Sequence, residues 1–243
     1  MKTLFAISCL LVFANTGFSQ TKKVLFVLTS HDTIPNSNLK TGFWLSELTH
    51  PYHEVLKAGL KADIVSMKGG AAPIEPRSLK NEDADNKEFL KERSGLIQNT
   101  KPLSDVNGKE YSGIFFVGGH GGMWDFAQSN HVEKISREIY EAGGVVASVC
   151  HGPAALVNIK LSNGDYLVAG KRVTAFTNDE EKAVNMARKV PFLLEDELKA
   201  RGAIYSKVTV FQKHTQNDQR IITGQNPASA REVGSQMAKT INN

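Results

Sequence analysis

The chain has 243 residues, a net charge of +4 and two cysteines. Apolar residues make up 41% and charged residues 22%, a globular balance that excludes a disordered chain or a fibrous repeat. The length suits one large domain or two small ones, the cysteine count excludes a disulfide scaffold, and a small charge without a basic tract argues against nucleic acid as a partner.

The N-terminus reads as an address. Met1-Lys2-Thr3 carries one positive charge, residues 4–14 are almost wholly apolar, and Gly17-Phe18-Ser19 places small residues before a cleavage point after Ser19. That three-part pattern is a secretory signal peptide. Residues 1–19 are expected to be removed, leaving one domain over 20–243. The mature chain is expected in a periplasm or outside the cell, free of any membrane. Cys9 leaves with the leader and Cys150 stays, so no internal disulfide is available.

Residues 23–29 form a short continuous β-prone run, as in a strand buried on both faces. Residues 42–58 read as a helix and 62–66 as a second strand. Residues 74–109 are long, polar and poor in strand signal, so they read as a lid or a decorated loop. Residues 113–117 form a strand that ends in Gly118-Gly119. Residues 131–142 read as a helix with Val132, Ile135 and Ile139 on one side. Residues 144–149 form a strand and 153–157 a helix. Strands recur near 171–176, 203–210 and 220–223, and residues 228–241 close the chain as a helix. Strands alternating with helices imply an α/β fold. The expectation is a flavodoxin-like parallel sheet sandwiched by helices, with a small insertion or lid. Ligands in such folds bind beyond the carboxyl ends of the strands.

The strongest chemical signal is Val149-Cys150-His151-Gly152-Pro153-Ala154. An apolar strand ends in cysteine and a helix follows at once, which is the geometry of a nucleophile elbow. A helix N-terminus favours thiolate over thiol, and Pro153 suits the first helical turn. A buried inert cysteine is the bland alternative. Gly118-Gly119-His120-Gly121-Gly122 also follows a strand, and such a loop can aim backbone N–H groups into a cavity. Placed beside Cys150, the amides of Gly119 and His151 would form an oxyanion hole. A merely tight turn is the alternative there. His31, His50, His53, His131 and His214 show no trusted metal spacing, although His50 and His53 lie three apart on a helix. No metal is expected. No Walker or dinucleotide glycine pattern stands in context, so no cofactor is expected either.

These motifs together resemble the ThiJ/PfpI superfamily, whose fold is like that of class I glutamine amidotransferases. Within it the chain looks like the glyoxalase III and heat-shock chaperone branch. The features are Thr41-Gly42-Phe43-Trp44 with Glu47 and His50-Pro51, Gly118-Gly119-His120-Gly121 with Asp125, and the Cys150 elbow. Val173-Thr174-Ala175-Phe176-Thr177 with Glu180-Glu181, and Thr223-Gly224-Gln225-Asn226-Pro227-Ala228-Ser229, complete the set. The resemblance implies Cys150 as nucleophile, His151 as its neighbouring base and Glu181 as the acid that orients His151, with Glu180 the weaker candidate. It implies a Glu47 carboxyl facing the thiol, oxyanion-hole amides at Gly119 and His151, and a homodimer. His120 stands as a substrate-binding residue or as a hydrogen-bonding residue of its loop. A buried Glu47 should have a raised pKa.

The implied activity is conversion of a 2-oxoaldehyde such as methylglyoxal to a hydroxy acid without glutathione. This is a cysteine-dependent lyase activity of the D-lactate dehydratase type. The alternatives are a holdase chaperone acting on unfolded proteins, a redox sensor at Cys150, and a cysteine hydrolase (amidase, peptidase or deglycase). A glutaminase would need a later His-x-Glu motif, and none follows Cys150.

Overall fold

The computed structural model describes residues 22–80 and 83–243. The expected leader, residues 1–19, lies outside the described residues.

The first strand, β1 (Lys23–Leu28), is buried along nearly its whole length because it serves two cores. Val24, Phe26 and Leu28 point to one face and Leu25 and Val27 to the other, as the alternation of side chains along a strand requires. It pairs in parallel with β2 (Lys61–Ser66) on one side. On the other side it pairs in parallel with β4 (Gly113–Phe116). Outside β2 lies the short β3 (Lys101–Pro102). Beyond β4 come β5 (Val145–Val149), β9 (Ile221–Gly224) and β8 (Thr215–Asp218), giving the order β3-β2-β1-β4-β5-β9-β8. Only β8 runs antiparallel. The chain leaves β1 towards β2 and returns to β4 on the opposite side. That reversal opens a crevice above the carboxyl ends of β1 and β4.

Helices α1 (Leu45–Lys57) and α8 (Ala230–Asn242) cover one face. They approach closely because Gly234 lies against Pro51: a Cβ on Gly234 would sit 2.4 Å from the Pro51 Cα. Helices α5 (Asn130–Glu141) and α7 (Leu194–Ala200) cover the other face. In α5, Val132, Ile135, Ile139 and Tyr140 are buried, and the Ser129 hydroxyl accepts from the Val132 N–H as an N-cap, satisfying a donor that has no partner within the helix.

Four expectations need correction. The stretch 74–109 is not a loop. It holds a 3-10 turn (Pro76–Lys80), α2 (Ala84–Arg93), α3 (Gly95–Gln98) and β3. Phe89, Ile97 and Leu103 from it are buried in the two cores. Its polar composition hid these elements, because only a few apolar anchors face inward. The helix read over 42–58 begins only at Leu45, since Gly42 and Phe43 run extended against Pro73 and Ile74. The strands near 171–176 and 203–210 shrink to β6 (Arg172–Val173) and β7 (Ile204–Tyr205), which pair with each other outside the main sheet. The helix after Cys150 is a 3-10 turn, Gly152–Leu156.

Candidate active site

Cys150 directly follows β5, and its backbone takes a left-handed φ of 59°. That conformation is strained for a residue with a side chain. It persists because the Cys150 N–H donates to Gly224 O (2.9 Å) and its carbonyl accepts from Phe176 N–H (2.8 Å). The turn presents the thiol beside the Gly118-Gly119 segment. Gly118 admits no side chain: its Cβ would lie 2.2 Å from Glu47 Oε2 and 2.9 Å from Cys150 Cβ. Gly119 has φ +109°, and its Cβ would meet Gly42 O at 2.3 Å. Neither the Gly119 nor the His151 amide donates to a backbone carbonyl among the described residues. Both therefore remain available as oxyanion donors.

A hydrogen-bonded chain runs away from the sulfur. Cys150 Sγ lies 3.2 Å from His151 Nδ1, and His151 Nε2 lies 2.6 Å from Glu181 Oε1. Glu181 Oε2 is 3.3 Å from His120 Nε2. His120 Nδ1 is 3.2 Å from the Arg77 guanidinium, whose Nε donates to Glu75 Oε1 at 2.8 Å. Thr41 donates to the second Glu75 oxygen at 3.0 Å. A guanidinium only donates, so His120 Nδ1 accepts and the hydrogen of neutral His120 sits on Nε2, aimed at Glu181. Burial, reinforced by the neighbouring His151, lowers the His120 pKa to about 4 and keeps it neutral. Burial alone would raise Glu181. Electrostatic attraction to His151 and the hydrogen bonds from both histidines outweigh it and hold the carboxylate well below its usual range. Glu181 thus accepts from His151 Nε2–H and leaves the Nδ1 lone pair facing the thiol.

Glu47 comes from the first turn of α1 and is wholly buried. Burial pushes its carboxyl well above the usual range, against smaller lowering effects from the Cys150 thiol and the Gly118 backbone. Neither Glu47 oxygen reaches a well-aligned hydrogen bond. Cys150 is also pushed up, by burial first and by the Glu47 carboxyl next. This reverses the expected thiolate. A single 3-10 turn supplies only a weak dipole, which burial of the sulfur and the neighbouring Glu47 carboxyl outweigh. Both groups of the pair are thus shifted upward, toward their protonated forms.

A cavity of about 430 Å³ opens over the thiol. Gly119, His120, Cys150 and His151 form its polar end, and Trp44, Phe176, Val184 and Phe211 form its apolar wall. The fold thus brings Cys150, His151, Glu181, Glu47, Gly119 and His120 to one place. Glu180 lies apart from the histidine chain: it caps α6 (Asn178–Ala183) together with Thr177. The Thr177-x-x-Glu180 spacing carried that capping-box signal. Arg77, Glu75 and Phe211 were missed. They lie far from the motifs in sequence, and nothing local marks them.

His50 and His53 pair with Asp83 (2.8 Å) and Asp85 (3.3 Å). Asp83 also caps α2, and Arg231 holds Asp85.

The family model described as DJ-1/PfpI matches residues 38–240. The chain is 34% identical over 226 residues to the glutathione-independent glyoxalase HSP31 of Saccharomyces cerevisiae, covering 86% of this chain and 93% of that one. It is 31% identical to glyoxalase 3 of Candida albicans, again over 86% and 93%. Among solved structures, the Rapid Encystment Protein 24 KDa (REP24) of Francisella tularensis superposes with a TM-score of 0.89 at 45% identity, covering 92% of this chain and 100% of that one. Glyoxalase III from Candida albicans superposes at 0.83 with 28% identity, over 90% and 97%. The family match spans most of the sequence and these relatives align along nearly all of theirs, so the chain belongs to the DJ-1/PfpI family.

Proposed function

We propose that the protein is a glutathione-independent glyoxalase that converts 2-oxoaldehydes to 2-hydroxy acids through Cys150. The observation that carries this reading is the Cys150–His151–Glu181 chain, with contacts of 3.2 and 2.6 Å, set in a cavity beside two unpaired amides.

Cys150 Sγ forms a bond to the aldehyde carbon as its proton passes to His151 Nδ1. Glu181 stabilises the imidazolium that results. The aldehyde oxygen becomes an oxyanion in front of the Gly119 and His151 amides and is then protonated to the hemithioacetal. A base removes the hydrogen from the former aldehyde carbon, giving an enediol. A proton returns at the neighbouring carbon, leaving the thioester of a 2-hydroxy acid. His151 and Glu47 flank the sulfur, and a Glu47 carboxyl pushed up by burial is suited to donate a proton. Water then hydrolyses the thioester and restores the thiol. The sum is one water added, with no external oxidant or reductant.

The test is turnover of methylglyoxal by the purified mature chain without glutathione, beside Cys150→Ala. Lactate should form with the parent, and the variant should lose at least about a thousandfold in rate. A variant that keeps its rate sinks the reading. A holdase predicts the opposite pattern, full activity on unfolded protein in Cys150→Ala.

The protein acts outside the cytoplasm, after loss of residues 1–19. The three-part N-terminus supports this. N-terminal sequencing of the chain recovered from an exporting host should begin at Gln20; an intact Met1 would contradict export. A homodimer, implied by the family resemblance, is checked by sedimentation of the same sample.

A further inference from the structure

The cavity is much larger than methylglyoxal needs. Its volume of about 430 Å³ falls within the roughly 300–1,000 Å³ of sites that enclose drug-sized ligands. A three-carbon dicarbonyl held at Cys150 would fill only part of it and leave Phe211, 48% exposed, uncovered.

Phe211 is the unusual member of that wall. It is 48% exposed, yet its backbone is held at φ 60°, a conformation that bulky side chains rarely adopt. Its N–H donates to Glu180 Oε1 at 2.8 Å. The same oxygen accepts from Asn226 Nδ2 (2.8 Å) and Gln225 Nε2 (3.2 Å), and the other accepts from Thr177 N–H (2.9 Å). Gln225 also grips Val208, accepting from its N–H at 2.9 Å and donating to its carbonyl at 3.3 Å. Asn226 donates to Gln212 O at 2.8 Å. A wholly buried carboxylate thus ties the start of α6 to Gln225 and Asn226 after β9 and, through the Phe211 N–H, to the loop at the rim of the site. Four N–H donors satisfy it without a cation. The loop continues the stretch near 203–210 that reads as a strand in the sequence and is irregular beyond Tyr205. What the fastening achieves is a phenyl ring fixed at the cavity mouth, 6.4 Å between centroids from Phe176.

We propose that Phe211 is a specificity-determining residue that favours 2-oxoaldehydes with a bulky apolar substituent, such as an arylglyoxal, over methylglyoxal, and that Glu180 is its positioning residue. The inference rests on the glyoxalase reading above and names its substrate class. An apolar substituent laid between Phe211, Phe176 and Trp44 removes ligand and protein surface from water. The dicarbonyl end then reaches Cys150 without displacing the wall.

Initial rates with phenylglyoxal and methylglyoxal test it on the full mature chain. The kcat/KM ratio of phenylglyoxal to methylglyoxal should fall about tenfold in Phe211→Ala, through a raised KM for phenylglyoxal. Glu180→Gln should lower the ratio in the same way. Glu180→Gln added to Phe211→Ala should lower it no further, since one acts through the other. Equal ratios in parent and Phe211→Ala overturn the proposal, and additive effects overturn the positioning role of Glu180. Binding of the product acids separates the two readings. Mandelate should bind the parent more tightly than lactate, and Phe211→Ala should lose that preference. Without turnover of either aldehyde the glyoxalase reading falls, yet a mandelate preference lost in the variant still supports the wall. Equal binding of the two acids to the parent overturns it.

Discussion

Glu47 and Cys150 are two acids in one dry space, and the chemistry depends on which of them keeps its proton. Charging either means leaving a desolvated anion with poor hydrogen bonds, because Glu47 has no well-aligned donor and the sulfur faces a single histidine nitrogen. His151 resolves this at the moment of attack by taking the thiol proton, and Glu181 is held anionic to receive the positive charge. Carboxyl-selective NMR of Glu47 should therefore give a midpoint well above the ordinary 4.5. In Cys150→Ser, which removes the thiol, the midpoint should stay raised, because burial is the first cause. A midpoint near 4.5 in the parent would remove Glu47 as a proton donor at neutral pH. The outer part of the chain has a different task. Arg77 fixes the tautomer of His120, and His120 then supplies Glu181 with a second donor.

At the scale of elements, the site depends on strand ends being held in place. Asp125, at the end of the short α4 (Gly122–Asp125), accepts from the Thr29 hydroxyl and the Ser30 N–H, each at 2.8 Å, and ties the loop after β4 to the end of β1. Burial raises its pKa from 3.8 to about 6. A carboxyl raised on folding adds stability that is full below its unfolded pKa and lost as pH climbs through the folded value. Asp125→Asn keeps the accepting oxygen and removes the titration. The variant should gain on the parent by an amount on the order of 2–3 kcal/mol between pH 4 and pH 8, measured by denaturant melts. A gap that does not change with pH would mean that Asp125 titrates as an ordinary surface acid.

Over the whole molecule, the stretch 74–109 decides how the site is enclosed. Its first turn carries Glu75 and Arg77 to the cavity, while α2 packs on α1 through an edge-on Phe89–Tyr52 contact, 5.5 Å between centroids. A detachable lid would melt alone. A segment built into the core would melt with the rest. Phe89→Ala should cost about 3–5 kcal/mol and lower the midpoint of a single cooperative transition. A separate early transition, with the main one unmoved, would restore the lid.

The alternating α/β order, the Cys150 elbow and the glycine loop are legible in the chain without any fold. These rest on local rules: apolar runs of strand length, a strand-to-helix turn around one nucleophile, and glycines where no Cβ fits. The membership of Glu47 and Glu181 in the site was legible only through family resemblance, since more than a hundred residues separate Glu47 from the Val149-Cys150 turn (a distance no local rule crosses). Tertiary structure alone decided the rest. It pushed the thiol pKa up, because desolvation and the buried Glu47 carboxyl beside it outweigh one weak turn dipole. It brought Arg77 to His120 from a segment that reads as polar loop. It turned the residues after β7 away from the sheet, because Glu180, Gln225 and Asn226 offer their backbone better partners than a neighbouring strand does.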